Sequence, residues 1–366
     1  MIDIFLIVAC AFYALEYSIF RVAMRRVHRL EHRVPAEYPA ITVLVAARNE
    51  EKNIEQCLRA LLEQDYPADR MQIIAVNDES EDRTLSIMRR LSDENPGRID
   101  IISTNPEDSH ARGKARAIAQ GMDHATGEII LLTDADCMPP RIWARGVVEH
   151  FMPDVDVCGA FTLVIPEGPF SAAQQLDWIH LQTLGSCALG LGFPVGVVGN
   201  NLSFRRTAYE RVGGYRAVPF TVTEDFALFQ AMAASGARAI YPCSASTQNF
   251  TLPCGTLWEV IRQKQRWARG GVQNTIPGYT IFVVALLMLV AFTIAPFVSL
   301  GAWVGVWSVK FACDLLLMLP AMRRLHSVTS LRYFIIFEFY FIVQAFLIPL
   351  LLTNRKVVWK GREYRS

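Results

Sequence analysis

Carboxylates stand at three separated places in this chain, each at the end of an apolar run. Asp78 closes Ala75-Val76-Asn77-Asp78, and Asp134 and Asp136 close Leu131-Leu132-Thr133-Asp134-Ala135-Asp136. Glu224 and Asp225 close Thr221-Val222-Thr223-Glu224-Asp225, and a fourth element, Gln263-Lys264-Gln265-Arg266-Trp267, follows them. Carboxylates held at strand ends can bind a divalent cation and work beside it, chemistry that suits displacement of a diphosphate leaving group.

Each element has a functional and a plainer reading. Oxygen ligands at Asp134 and Asp136 suit Mg²⁺ or Mn²⁺, and a turn just beyond the strand would bring both carboxylates towards one ion. The plainer reading is an acidic turn capping a helix that begins near Pro140. Asp78 alone could be the N-cap of a helix beginning near Glu81. The turn Ala46-Ala47-Arg48-Asn49-Glu50 supports a binding role there, Glu50 included. It is not GxGxxG, which disfavours a dinucleotide site of the NAD type, and Gly190, Gly192 and Gly196 have the wrong spacing.

Glu224-Asp225 opens an amphipathic segment, Phe226–Ala234. Carboxylates at a helix N-terminus can be dipole partners alone; the functional reading makes Asp225 a general base that takes a proton from an acceptor hydroxyl. Gln263 and Arg266 are three apart and share a helix face, where Arg266 could contact a diphosphate while Trp267 offers a flat surface to a sugar or lipid. The plainer alternative is an interfacial aromatic with basic neighbours.

What positions these groups is an alternation of short segments. Ile41–Ala47, Met71–Val76, Ile99–Ser103 and Glu128–Thr133 read as strands; Glu51–Gln64, Asp82–Leu91 and Ala111–Ala125 read as helices. Such alternation predicts an α/β fold with a mostly parallel, Rossmann-like sheet, in which ligands sit beyond the C-terminal strand ends. Asp78, Asp134 and Asp136 fall there. A second acidic pair, Asp154-Val155-Asp156, precedes its apolar run and should lie in a solvated loop at the opposite edge.

Over half of the 366 residues (52%) are hydrophobic, and they concentrate at Ile4–Phe20 and Ile281–Leu352 rather than spreading evenly. Ile4–Phe20 lacks a preceding basic segment and a small-x-small cleavage site, so it is expected to be an uncleaved anchor. Arg21, Arg25, Arg26 and Arg29 behind it place the middle of the chain in the cytosol. Ile281–Leu300, Ala302–Pro320 and Tyr333–Leu352 are each long enough to span a bilayer, making an α-helical transmembrane region. Three spans after a cytosolic domain would put the basic tail outside, against the positive-inside expectation. Either one segment is re-entrant, or Ile179–Val198 dips into the bilayer, or the rule fails. The segment around Trp258, Val260, Ile261 and Trp267, interleaved with Arg262, Lys264, Arg266 and Arg269, predicts an amphipathic helix on a membrane surface.

Within the spans, Lys310 and Asp314 are four apart and can neutralise one another, whereas Glu338 has no local partner. The middle of the chain has no arginine stripe interleaved with aromatics, which excludes nucleic acid as a partner. The eight cysteines form no CxxC pair and have no zinc-like spacing, so they read as single reduced thiols.

Taken in order, Asn77-Asp78, Asp134-Ala135-Asp136, Thr223-Glu224-Asp225 and Gln263-x-x-Arg266-Trp267 resemble the membrane branch of family 2 glycosyltransferases over Ile41 to Trp267. The resemblance implies a GT-A fold, a nucleotide-sugar donor (read as a UDP-sugar), Mg²⁺ or Mn²⁺, and inversion at the anomeric carbon. It assigns Glu50, Asp78, Lys114, Asp134, Gln263, Arg266 and Trp267 to the donor, and Asp136 with Asp134 to the metal. Asp225, with Glu224 beside it, would be catalytic. Asn200, Asn201 and Trp267 would line the acceptor side. Asn77-Asp78-Glu79-Ser80 departs from the Asp-Asp-Gly-Ser of many members.

The C-terminal Trp359–Arg365 and the small number of spans are similar to lipid glucosyltransferases of the ceramide type, which favours a membrane lipid acceptor. A processive polysaccharide synthase and a catalytically inactive nucleotide- or lipid-binding scaffold are the alternatives. The expected organisation is an anchor (1–24), a GT-A domain (38–250), an interfacial helix (255–275), transmembrane helices (279–353) and a basic tail (354–366). That describes an integral protein of the inner or plasma membrane with a cytosolic catalytic domain.

Overall fold

The structure, a computed structural model, describes residues 1–108, 110–271, 276–351, 356–359 and 362–365. Leu352, Arg355, Lys360 and Gly361, named above in the last span and the tail, lie outside these residues. In chain order the first elements are α1 (Ile2–Val27), β1 (Ile41–Ala47), α2 (Ile54–Leu62), β2 (Met71–Asn77), α3 (Thr84–Glu94), β3 (Ile99–Ser103), α4 (Lys114–Met122) and β4 (Ile129–Asp134). There follow α5 (Trp143–Val148), β5 (Val157–Gly159), β6 (Thr162–Val164), α6 (Pro169–Gly190), β7 (Asn201–Arg205), α7 (Arg206–Arg211), α8 (Gly214–Ala217) and α9 (Glu224–Ala234). The chain ends with β8 (Ala239–Ile240), β9 (Asn249–Thr251), α10 (Leu257–Gly271), α11 (Ile276–Val298), α12 (Leu300–Arg324), α13 (Phe334–Leu351), β10 (Lys356–Trp359) and β11 (Arg362–Arg365). These residues form two compact units, one of sheet and helices (Leu30–Ile165, Gly196–Pro253, Arg355–Ser366) and one helical (Met1–Arg29, Pro166–Val195, Cys254–Asn354).

The sheet unit is built on seven strands in the order β3-β2-β1-β4-β7-β5-β8. Its first four strands are parallel, β7 runs antiparallel to β4 and β5, and β8 is parallel to β5. β1 is buried at nearly every residue, as a strand covered on both faces must be. α2 supplies part of that cover by burying Ile54, Cys57, Leu58 and Leu61, one stripe at helical spacing. The fold class is as expected, a mostly parallel sheet with helices. The register fixes what matters for chemistry: Asn77 pairs with Ala47 and Ser103, Asp134 with Ala46, and Thr133 with Asn201. Asp78, Asp134 and the start of β7 therefore share one edge.

Asp154 and Asp156 fall at the opposite edge, before β5, where Asp154 pairs with Arg238 and Asp156 accepts the Arg238 N–H at 3.0 Å. No disulfide joins any of the eight cysteines.

Four helices of the helical unit are long and apolar enough to cross a membrane: Ile2–Val27, Gly278–Val298, Leu300–Arg324 and Val328–Leu347. Residues 166–195, inside the stretch expected as one continuous 38–250 domain, belong to this unit. Their helix, α6, buries Gln174, Gln175, Asp177 and His180. Each has a partner within the unit: Gln174 brackets the Cys254 backbone at 3.0 and 2.8 Å, and Gln175 accepts from Ser330. Asp177 pairs with Lys264 at 2.5 Å, and His180 meets Tyr17 at 2.8 Å.

Glu338, which has no partner nearby in sequence, is reached by Lys310 at 2.6 Å, and the same ammonium donates to Asp314 at 2.6 Å. Tyr13 Oη completes the network 2.6 Å from Asp314. Tyr13 also donates to Tyr17 at 2.8 Å and Tyr17 meets His180, so six buried side chains (Tyr13, Tyr17, His180, Lys310, Asp314 and Glu338) join α1, α6, α12 and α13.

Candidate active site

Within the sheet unit, the acids at the C-terminal edge converge on basic side chains. Lys114 opens α4 immediately after Gly113, whose backbone (φ 57°, ψ −136°) is one that side chains rarely adopt. Its Nζ bonds Asp134 and stands 3.7 Å from Glu224. Burial pulls the Lys114 pKa down, but Asp134, Glu224 and Asp225 outweigh that and raise it, so the ammonium is held charged. Glu50, Asp134 and Asp136 share a second neighbourhood: with burial, all three push the Cys57 thiol up, and Cys137 Sγ lies 3.7 Å from Asp136 Oδ1. Both thiols stay protonated and serve as packing beneath the acids.

Asp78 is almost wholly buried, at 2% exposure. Its Oδ1 accepts from Arg116 at 3.2 Å and Thr104 at 3.4 Å, and its backbone carbonyl accepts from Arg48 at 3.0 Å. It is not the cap of the next helix, whose N-cap position is Arg83; Asp82, just before it, accepts the Thr84 N–H at 2.9 Å. Arg116 also pairs with Glu79 at 2.7 Å, which explains the Glu at the position where Gly is frequent in the resembling motif. Arg48 and Arg116 were missed from sequence, although both flank motif residues; what links them to Asp78 and Glu79 is the register of β1 and β2 beside α4. Glu50 accepts from Asn53 at 2.8 Å and is 9% exposed.

Glu224 and Asp225 form the first turn of α9, and Asp225 Oδ1 accepts the Phe226 N–H at 2.8 Å. Tyr215, another residue not foreseen, lies buried in the field of Glu224, Asp225 and Asp134. Burial first, then these carboxylates, push its pKa up, and its hydroxyl makes no hydrogen bond among the described residues.

Gly199 sets the space for Asp225. A Cβ there would stand 2.5 Å from Asp225 Cβ and 2.7 Å from its Cγ, closer than real contacts allow. Gly199→Ala is therefore expected to displace the carboxylate and lower kcat about 100-fold, the usual cost of a shift near 1 Å at a reacting centre. Steady-state kinetics with nucleotide binding measured in parallel would show it; an unchanged kcat would detach Gly199 from the site.

Asn201, expected on the acceptor side, opens β7. Its amide is fully buried, donating to Phe161 O at 2.8 Å and Thr247 O at 3.0 Å and accepting from Trp143 at 2.9 Å. With both donors consumed inside the fold, it ties β7 to its neighbours. Asn200 is 7% exposed, and its Oδ1 accepts from Thr162 at 2.8 Å.

Gln263, Arg266 and Trp267 lie on α10 in the helical unit and are half-buried there. Trp267 stands edge-on to Trp178 with centroids 5.1 Å apart, and the Lys264 ammonium sits 4.7 Å from its ring. Lys264, expected as one of several basic residues on a membrane-facing helix, is instead buried against Asp177.

A divalent ion suits part of this set. Asp134 spends one oxygen on Lys114 and keeps a second, and Asp136 stands two residues on in the same acidic turn. No cluster of three His, Cys, Asp or Glu capable of holding a metal occurs among the described residues. An ion held by one or two carboxylates and completed by substrate phosphates, the usual arrangement for Mg²⁺, fits such a donor set.

This mostly parallel sheet with its flanking helices is a fold found in solved glycosyltransferases. It superposes on the mannosyltransferase PcManGT from Pyrobaculum calidifontis, solved in complex with GDP-Man and Mn²⁺, with a TM-score of 0.62 and 23% identity, covering 97% of this chain and 99% of that one. The chain belongs to glycosyl transferase family 21, whose family model matches residues 4–366.

Curated relatives agree. The probable glycosyltransferase YdaM of Bacillus subtilis is 31% identical over 64% of this chain and 56% of its own length. The beta-monoglucosyldiacylglycerol synthase of Synechocystis is 27% identical over 65% of this chain and 49% of its own. The poly-beta-1,6-N-acetyl-D-glucosamine synthase of Staphylococcus aureus is 27% identical over 64% of this chain and 55% of its own. The chain thus spans about half the length of these relatives.

Proposed function

We propose that this enzyme transfers a single sugar, with inversion, from a nucleotide-sugar to a hydroxyl of a membrane lipid at the cytosolic face. The observation that carries the reading is the convergence of Lys114, Asp134 and Glu224 at the strand edge, with Asp225 one residue on, in a chain that also has four helices of membrane-spanning length. The acceptor hydroxyl gives its proton to Asp225 as its oxygen bonds the anomeric carbon, and the nucleoside diphosphate leaves with the electrons of the broken bond. Asp136, with Asp134, would hold a Mg²⁺ or Mn²⁺ whose charge offsets that developing on the diphosphate. Lys114 keeps Asp134 and Glu224 in place and contributes a second positive charge. Gln263, Arg266 and Trp267 are assigned to the donor, Trp267 also to the acceptor.

The lipid acceptor is supported by the monoglucosyldiacylglycerol synthase among the relatives. The poly-N-acetylglucosamine synthase supports the second reading, polymer synthesis.

Expression in a host without such glycolipids, followed by mass spectrometry of the lipid extract, separates the two. A new monoglycosylated lipid is the expected result, and a ladder of long saccharides would replace the single-transfer reading. With purified enzyme, UDP- and GDP-sugars should be compared with Mg²⁺, Mn²⁺ or a chelator present. Activity lost on chelation and restored by either ion is expected; full activity in chelator would remove the metal from the mechanism.

A further inference from the structure

Apart from the catalytic edge, the helical unit holds a basic cavity at the ends of two membrane-length helices. It measures about 390 Å³ and is lined by Arg21, Met24, Arg25 and His28 from the end of α1 and by Pro320, Arg323 and Arg324 from the end of α12. That size is within the range of pockets that hold small ligands.

The simplest account of arginines at such places is topological: they mark the cytosolic end of a span and complement a helix C-terminus. That account asks nothing of how they are grouped. Here four guanidinium groups crowd one concavity, and none of them has a carboxylate within 4.0 Å among the described residues. Arg324 reaches only the His28 carbonyl, at 3.4 Å.

His28 adds a second observation. Its Nε2 is buried and makes no hydrogen bond among the described residues. Burial, then Arg324 and Arg21, pull its pKa down to about 4, so the ring is neutral and does not add to the repulsion. A neutral imidazole presents a donor as well as an acceptor. The buried Met24 and half-buried Pro320 supply an apolar wall beside the charges.

We infer that this cavity binds the phosphate group of an anionic membrane phospholipid, with the guanidinium groups around the phosphate and the start of an acyl chain against Met24 and Pro320. Guanidinium matches phosphate oxygens with paired, charge-assisted hydrogen bonds. A lipid is favoured over a soluble phosphate because the cavity terminates two helices of spanning length, where headgroups are concentrated. The site is separate from the proposed sugar transfer, and its test needs no turnover.

The full-length protein is reconstituted in nanodiscs of equal parts phosphatidylcholine and phosphatidylglycerol, extracted into mild detergent, and the retained lipid is counted by native mass spectrometry. Wild type should retain phosphatidylglycerol about tenfold over phosphatidylcholine, about 1.4 kcal/mol of selectivity. The double variant Arg25→Gln/Arg323→Gln should lose that preference, and Arg332→Gln, a basic residue outside the cavity, should keep it. Both variants change exposed side chains, so gel filtration should show folded protein. Equal retention of the two lipids by wild type, or undiminished preference in the double variant, would overturn the assignment. Displacement of the lipid by inorganic phosphate would reassign the cavity to a soluble anion and overturn the lipid.

Discussion

Asp225→Asn lowers turnover by about 10²–10⁴-fold, the range a positioned general base contributes, while nucleotide affinity stays at its wild-type value. The carboxamide has nearly the shape of the carboxylate and can still accept the Phe226 N–H that orients the side chain. What it loses is the capacity to take a proton at the working pH. Because the change is isosteric, it also spares the close packing over Gly199. The measurement is kcat with a nucleotide-sugar and acceptor lipid, beside a direct titration with the nucleotide. Wild-type kcat in the Asn variant would remove the base; wild-type kcat with weakened nucleotide binding would turn Asp225 into a donor ligand.

The second large effect is expected far from the chemistry, at Lys310. One ammonium there serves two buried carboxylates, Asp314 and Glu338, each at 2.6 Å. Lys310→Met leaves both without a cation in a setting where removing one partner of a buried pair costs about 3–5 kcal/mol. A steep drop in the apparent melting temperature of the detergent-solubilised enzyme should follow. Adding Glu338→Gln and Asp314→Asn to the Lys310→Met background should recover part of it, since the neutral side chains no longer demand a counter-charge. A Lys310→Met enzyme as heat-resistant as wild type would show that the network contributes nothing.

How far these features could be read from sequence varied with the range of the interactions that create them. β1 and β3 have the predicted bounds, because short apolar runs between helical segments are a local signal. The apolar runs of β2 and β4 likewise put Asp78 and Asp134 at strand ends, Asp78 just after β2 and Asp134 as the last residue of β4. The partners of these acids lay beyond such local signals, since Arg116 reaches Asp78 only once β2 and α4 lie together. The surroundings of Asn201 were equally out of reach, since the three hydrogen bonds that occupy its amide come from residues 40 to 58 positions away. Glu338 was legible as an expensive residue and illegible as a paired one, because its cation is 28 positions away. The apolar stretch beginning at Ile179 stood out from sequence. That Asp177 and Lys264 secure its helix could not be anticipated from either residue alone.

The excursion of residues 166–195 has a practical corollary for anyone wishing to study the sugar-transfer half by itself. No single cut through the chain releases the sheet unit, because the polypeptide leaves it after Ile165 and re-enters at Gly196. A protein truncated after Pro253 would still carry α6 but would have discarded Lys264 and Ser330, stranding Asp177 and Gln175 on an orphaned, insoluble helix. A derivative reduced to the sheet unit must lose 1–29, 166–195 and 254–354 together, and with the last of these go Gln263, Arg266 and Trp267.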